Sequence, residues 1–114
     1  MSAITTHILD VSTGVPARGV MVFLERRTGS EDWEIMGKGV TDDDGRLRDL
    51  LAPDAELSAG NYRLIFDTGN YFAQKQVENF YSQITVEFSV SDASQHYHVP
   101  LLLSPFGYST YRGS

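Results

Sequence analysis

The sequence predicts an all-β protein, a two-sheet sandwich of seven to eight short strands with one short helix. Three observations carry that prediction. Apolar and polar residues alternate at period two in most segments, turn-forming clusters punctuate the chain at short intervals, and a single stretch permits a helix. Strands so short and so regularly spaced bury one face each, which is the pattern of a β-sandwich.

Taken in order, "HILDV" (His7 to Val11) reads as a short first strand that "STGVPARG" ends. "VMVFLERR" sets Val20, Val22 and Leu24 on one face, with Met21 and Phe23 on the other. "TGSED" turns the chain, and "WEIMGKGV" returns with Trp33 and Ile35 on one side. "TDDDGR" holds an Asp-Gly step typical of hairpins, where glycine adopts the positive φ that other residues resist. A short strand follows from Arg46, cut off by the turn-rich "APDAELSAG". "NYRLIFD" (Asn61 to Asp67) is the next strand, and "TGNYFAQKQVENF" is a helix of two or three turns capped by Thr68 or Asn70. "ITVEFSV" points Ile84, Val86, Phe88 and Val90 inward. "HYHVPLLL" and "GYSTYR" form a final pair of strands around "SPF".

At 114 residues the chain reads as a single domain, 1–114, with an ordinary hydrophobic content of 41%. A net charge of −6 excludes general nucleic-acid and anionic-membrane binding, since no basic excess exists to neutralise phosphates. The absence of cysteine excludes disulfide scaffolds, thiolate metal sites and cysteine nucleophiles. The start "MSAITTHILD" reads as no signal peptide, and no run of eighteen apolar residues could span a bilayer; a cytoplasmic location is expected.

Parity in "HYHVPLLL" gives Tyr97, Val99, Leu101 and Leu103 to the core and His96, His98, Pro100 and Leu102 to the opposite face. Pro100 lacks a ladder donor, so it marks an edge strand or a non-bonded position. His7 and Leu9 share a face, as do Ser109 and Tyr111. Apolar groups on that second face need a partner, a ligand or another subunit. His96, beside a polar loop, reads as an ordinary surface residue; His7 and His98, flanked by apolar residues, are candidate functional imidazoles. Their spacing does not favour a metal site. "DDDGR" lacks the pattern of a calcium loop and reads as a solvated turn, while Arg46 is balanced between an anion-binding fork and an exposed arginine.

Together, "HILDVSTGVPARGV", "TDDDGR" and "HYHVPLLLSPFGYSTYRGS" resemble the transthyretin-related family, and within it the 5-hydroxyisourate hydrolases of urate breakdown. The resemblance runs from His7 to Ser114, and its ending "YRGS" is the feature that sets the hydrolases apart from transthyretin itself. It implies a transthyretin-like sandwich, a homotetramer built as a dimer of dimers, and a channel between the pairs. It further implies a catalytic set of His7, Arg46 and His98, joined by the carboxylate of Ser114, with Tyr111, Arg112, Gly113 and Leu102 around the substrate. The implied substrate is 5-hydroxyisourate, an anionic purine derivative hydrolysed to 2-oxo-4-hydroxy-4-carboxy-5-ureidoimidazoline. One imidazole would activate water, either His98 or His7, and Arg46 would hold the anion. No metal or organic cofactor is implied. Two other readings stand beside this one: a transthyretin-like carrier of a small ligand, and a structural module binding proteins through an edge strand.

Overall fold

The computed structural model describes residues 2–114. One sheet contains β1 (Ile4–Asp10), β2 (Val15–Pro16), β5 (Arg46–Leu47), β8 (Tyr97–Ser104) and β9 (Gly107–Thr110). The other contains β3 (Met21–Arg27), β4 (Trp33–Val40), β6 (Gly60–Phe66) and β7 (Ile84–Val90). The expected all-β sandwich is present. Among the described residues there are nine strands where seven to eight were expected, because β2 and β5 are two-residue ladders, too short to leave a period in the sequence.

The second sheet is an antiparallel meander ordered β4-β3-β6-β7. The first is centred on β1, which pairs in parallel with β8 and on its other side meets β5 and then β2. Period-two patterning is obeyed wherever a strand has one face on the core. Val22 and Leu24, Leu64 and Phe66, Ile84 and Val90, and Tyr97, Val99, Leu101 and Leu103 are all buried between the sheets.

Four local expectations need correction. The first strand begins at Ile4 rather than His7, because its N-terminal half is held against β8 through the Ile4–Tyr97 and Thr5–His98 pairs. The Asp-Gly turn does not close a hairpin: β5 pairs with β1, so the turn carries the chain from one sheet to the other. The helix, α1 (Thr68–Gln74), is capped by Asp67, whose carboxylate accepts the Asn70 N–H at 3.4 Å. Finally, β9 ends at Thr110 instead of continuing through Arg112.

Pro100 accounts for that early end. β8 lies between β1 and β9, so the proline occupies a non-donating position in an interior strand, not an edge. Its backbone would donate toward the C-terminal segment, and proline has no N–H to give. The Thr110 hydroxyl instead donates to the Pro100 carbonyl at 2.7 Å. Pairing resumes beyond the gap as a single bridge, His98 to Gly113. Among the described residues no helix is long and apolar enough to cross a membrane.

Candidate functional site

The site grows from the register of three strands. β1 and β8 run parallel with Thr5 opposite His98, His7 opposite Pro100 and Leu9 opposite Leu102. Cross-strand partners share a face, so these residues lie together on the side of the sheet away from the core. On the other flank of β1, Arg46 of β5 stands opposite His7.

The turn before β5 fixes Arg46 in that position. The Asp42 carboxylate accepts the backbone N–H groups of Asp44 and Arg46, each at 2.9 Å. The bond from Arg46 does most to hold the Asp42 carboxyl below the usual carboxylate range. Gly45 has φ of +73° and lends its carbonyl to the Ile8 N–H at 2.8 Å, which docks the turn onto β1. The three aspartates are therefore not merely solvated: Asp42 organises the turn.

A cleft of about 760 Å³ opens at this end of the sheet, lined by residues that include Arg46, His98, Ser114, Thr5, His96, Arg48 and Gln95. The C-terminal segment reaches it through the His98–Gly113 bridge, in which the Gly113 N–H donates to the His98 carbonyl at 2.8 Å. The sequence-predicted residues Arg46, His98 and Ser114 thus share one cleft, with His7 one strand over from Arg46. Leu102 lies farther along β8, half-buried between Leu9 and Ser109.

Tyr111 and Arg112 are placed elsewhere. They border a second cavity of about 320 Å³ together with Val86, Phe88, Tyr97 and Val99. The Arg112 guanidinium lies 4.5 Å from the Tyr97 ring centroid and donates to Gln95 Oε1 at 2.9 Å. The break in the ladder beside Pro100 removes the pairing on which the shared parity of Ser109 and Tyr111 depended.

Both candidate imidazoles are held below their ordinary pKa near 6.5. For His98 the cause is burial, then the Arg46 charge, then those of His96 and His7. For His7 it is burial, then Arg46, partly offset by a hydrogen bond to the Asp44 backbone and the charges of Asp42 and Asp44. Each ring is therefore neutral at neutral pH, with a lone pair available beside a fixed cation.

Sequence reasoning passed over two residues that the structure brings to the centre. Thr5 places Oγ1 2.8 Å from His98 Nδ1 and 3.1 Å from His96 Nε2. The His96 and His98 rings stack at 6.4 Å, 16° from parallel. Parity had set His96 on the face of His98; its position beside a polar loop concealed the contact. Among the described residues, these histidines are not gathered with other ligand-type side chains into a metal-holding cluster.

Comparison with known proteins identifies the family to which the chain belongs. Residues 4–113 match the model of the HIUase/Transthyretin family. The 5-hydroxyisourate hydrolase of Salmonella typhimurium is 50% identical over 111 residues, spanning 97% of this chain and 80% of that protein. The solved structure of Klebsiella pneumoniae 5-hydroxyisourate hydrolase superposes with a TM-score of 0.85 at 41% identity, covering 97% of this chain and 98% of that one. Sea bream transthyretin in complex with thyroxine gives a TM-score of 0.90 at 32% identity, covering 98% and 95% of the two chains. Backbone likeness extends equally to a hydrolase and to a hormone-bound protein, so the fold alone does not decide between them. Family membership is decided by the full-length match: the chain belongs to the HIUase/Transthyretin family.

Proposed function

We propose that this chain hydrolyses 5-hydroxyisourate in urate degradation. The observation that carries the reading is the convergence of Arg46, His98 and Ser114 on one cleft, with His7 facing Arg46 across a strand pair. Relatives that match nearly the whole chain bear the hydrolase name, at identities from 41% in mouse to 50% in Salmonella. A passive carrier has no use for two neutral imidazoles beside a guanidinium.

The reaction follows from those groups. His98 takes a proton from water, and the hydroxide oxygen adds to a ring carbonyl carbon of the substrate. The carbonyl electrons move to oxygen, where the Arg46 guanidinium offsets the new charge. Collapse of this adduct breaks the C–N bond, and the leaving nitrogen takes the proton that His98 removed from water, while neutral His7 orients the attacking water. A positioned base contributes about 10²–10⁴-fold to such a step. Ser114 adds polar groups to the same cleft, and Arg46 captures the anionic substrate, aided by a site that concentrates cations in a chain of net charge −6.

The proposal extends to assembly as a homotetramer, a dimer of dimers in the cytoplasm, in which a neighbouring subunit covers the open face of the sheet. The exposed aromatic side chains of Phe106, Tyr108 and Tyr111 support such a contact.

The test is direct. Substrate generated from urate by uricase decays spontaneously, and the decay is followed in the ultraviolet. The protein accelerates that decay, whereas His98→Ala and Arg46→Ala do not. Decay at the spontaneous rate with wild-type protein, together with stoichiometric retention of a small aromatic ligand, would instead establish the carrier reading.

A further inference from the structure

Thr5 bears a hydroxyl yet is only 3% exposed, and both of its ring contacts belong to histidines of the cleft. A hydroxyl has a single proton. It can donate to one of the two ring nitrogens and accept from the other, and the direction matters. If it donates to His96 Nε2, it accepts an N–H from His98 Nδ1, and His98 Nε2 is left with its lone pair. If it donates to His98 Nδ1, the neutral His98 ring must carry its proton on Nε2, where no proton can then be taken from water.

The reading of His98 as the base chooses between them: the first arrangement alone leaves Nε2 able to take a proton from water, and the 2.8 Å contact between Thr5 Oγ1 and Nδ1 is the one that can hold that tautomer.

We propose that Thr5 and His96 are positioning residues for the hydrolysis, acting as a hydrogen-bonded chain His98–Thr5–His96 that holds His98 in its Nδ1–H tautomer with Nε2 bare. The inference rests on the reading of His98 as the base. His96 completes the chain by accepting the Thr5 proton, and its stacking on His98 keeps both rings in register with the hydroxyl. The logic is that of an orienting group behind a catalytic imidazole, where loss of the correct tautomer is expensive in rate while the reacting groups remain in place.

The experiment uses the full chain with Thr5→Val, which keeps the side-chain shape without the hydroxyl, Thr5→Ser, which keeps the hydroxyl, and His96→Ala at an exposed position. Two quantities are read: the nitrogen chemical shifts of the His98 ring in the resting protein, and kcat and KM on freshly generated substrate. Wild type has a protonated Nδ1 and a bare Nε2. Thr5→Val moves His98 toward the other tautomer and lowers kcat by about 10–100-fold, the size of effect typical of orienting partners, with KM within about twofold. Thr5→Ser restores both readings. His96→Ala gives a smaller loss, and adding it to Thr5→Val costs nothing further because the chain is already cut.

An unchanged tautomer with wild-type kcat in Thr5→Val overturns the proposal, and so does a Thr5→Ser protein as impaired as Thr5→Val, which would mean packing alone. Should Thr5→Val fail to fold, His96→Ala decides: an unaltered tautomer and rate overturn the chain. Because the ring nitrogens are read without substrate, an inactive wild type sinks the hydrolase reading and is distinguishable from failure of this one.

Discussion

A Cβ atom built on Gly113 would lie 2.6 Å from Cδ2 and 3.3 Å from Cγ of His98, so the Gly113 backbone rests directly against the imidazole. The same atom would stand 3.1 Å from Cγ of Pro100, which blocks escape along the strand. Even a methyl group therefore has to turn the ring or lift the C-terminal segment. Gly113→Ala is expected to lower kcat by about 10²-fold, the cost of an ångström-scale misplacement of a reacting group. Stability should change by less than about 0.5 kcal/mol, because the segment lies at the surface. Parallel measurement of substrate decay and of the thermal midpoint checks this. An unimpaired rate would mean that the ring is not confined by the glycine.

Arg46 is expected to set the acid limit of activity. Its charge disfavours the imidazolium forms of both His7 and His98, after burial in each case. The acid limb of the kcat/KM profile should therefore lie below pH 6.5, the ordinary histidine value. Removing the charge in Arg46→Gln makes protonation easier, so the limb moves up toward 6.5 without reaching it, since burial persists. The rate at the plateau falls by about 10²–10³-fold with the lost anion contact. Arg46→Lys keeps the charge but not the fork, so its limb stays in place while its plateau drops. Stability follows the same sign. Between the depressed values and 6.5 the unfolded chain binds more protons than the folded one, so stability rises with pH across that window and is lost as pH falls through it.

Much of this was legible from residue order because sandwich strands report their environment at period two. In β7 and β8 one face meets a core that tolerates only apolar groups, and the alternation follows. Legibility fails where burial is one-sided only in part. β4 is an edge strand, and Ile35 is 62% exposed despite its apolar character. It fails also where a local device serves a distant partner. "DDDG" specifies a turn, but nothing in it names β1 as the strand that β5 will join. His7, Arg46 and His98 could be singled out as odd residues on apolar strands. Thr5 could not, since a threonine in a strand is ordinary until the register with β8 sets His98 beside it. Tyr111 and Arg112 were assigned to the site by resemblance and not by residue order; parity said nothing reliable beyond Thr110, because the missing Pro100 donor breaks the ladder on which counting relies.

Gly45 separates the demands of the turn from those of the site. Its φ of +73° costs a non-glycine residue about 1 kcal/mol, and an added Cβ would also lie 2.4 Å from the Ile8 carbonyl oxygen. Gly14 has a similar φ of +75° with nothing near its Cβ direction. Gly14→Ala should therefore lose about 1 kcal/mol of stability and keep full activity. Gly45→Ala should lose about 2–3 kcal/mol and, by pushing β5 off β1, carry Arg46 away from His7 with a large fall in kcat/KM. Chemical denaturation and substrate decay on the pair test the difference. Equal behaviour would mean that the approach of Gly45 to Ile8 does not matter.

The Asp10–Tyr71 contact joins the site-bearing sheet to the helix and carries its own pH dependence. Asp10 at the end of β1 is 1% exposed, and its carboxylate accepts the Tyr71 hydroxyl at 2.8 Å and the Ser12 N–H at 3.1 Å. Burial, then the hydrogen bond to Asp10 and its charge, push the Tyr71 phenol far above its ordinary value of 10. Tyr71→Phe leaves a buried carboxylate oxygen without this donor and should cost about 1–3 kcal/mol. The alkaline behaviour is more specific. Above pH 10 the unfolded tyrosine releases its proton while the folded one keeps it, so the folded state binds more protons and stability falls as pH rises. The slope from this one group is at most about 1.4 kcal/mol per pH unit. Denaturation midpoints measured from pH 8 to 11 should show that decline in the wild type and lack this tyrosine's share of it in Tyr71→Phe. A variant that declines just as steeply would place the alkaline sensitivity in another residue and leave the latch as an ordinary hydrogen bond.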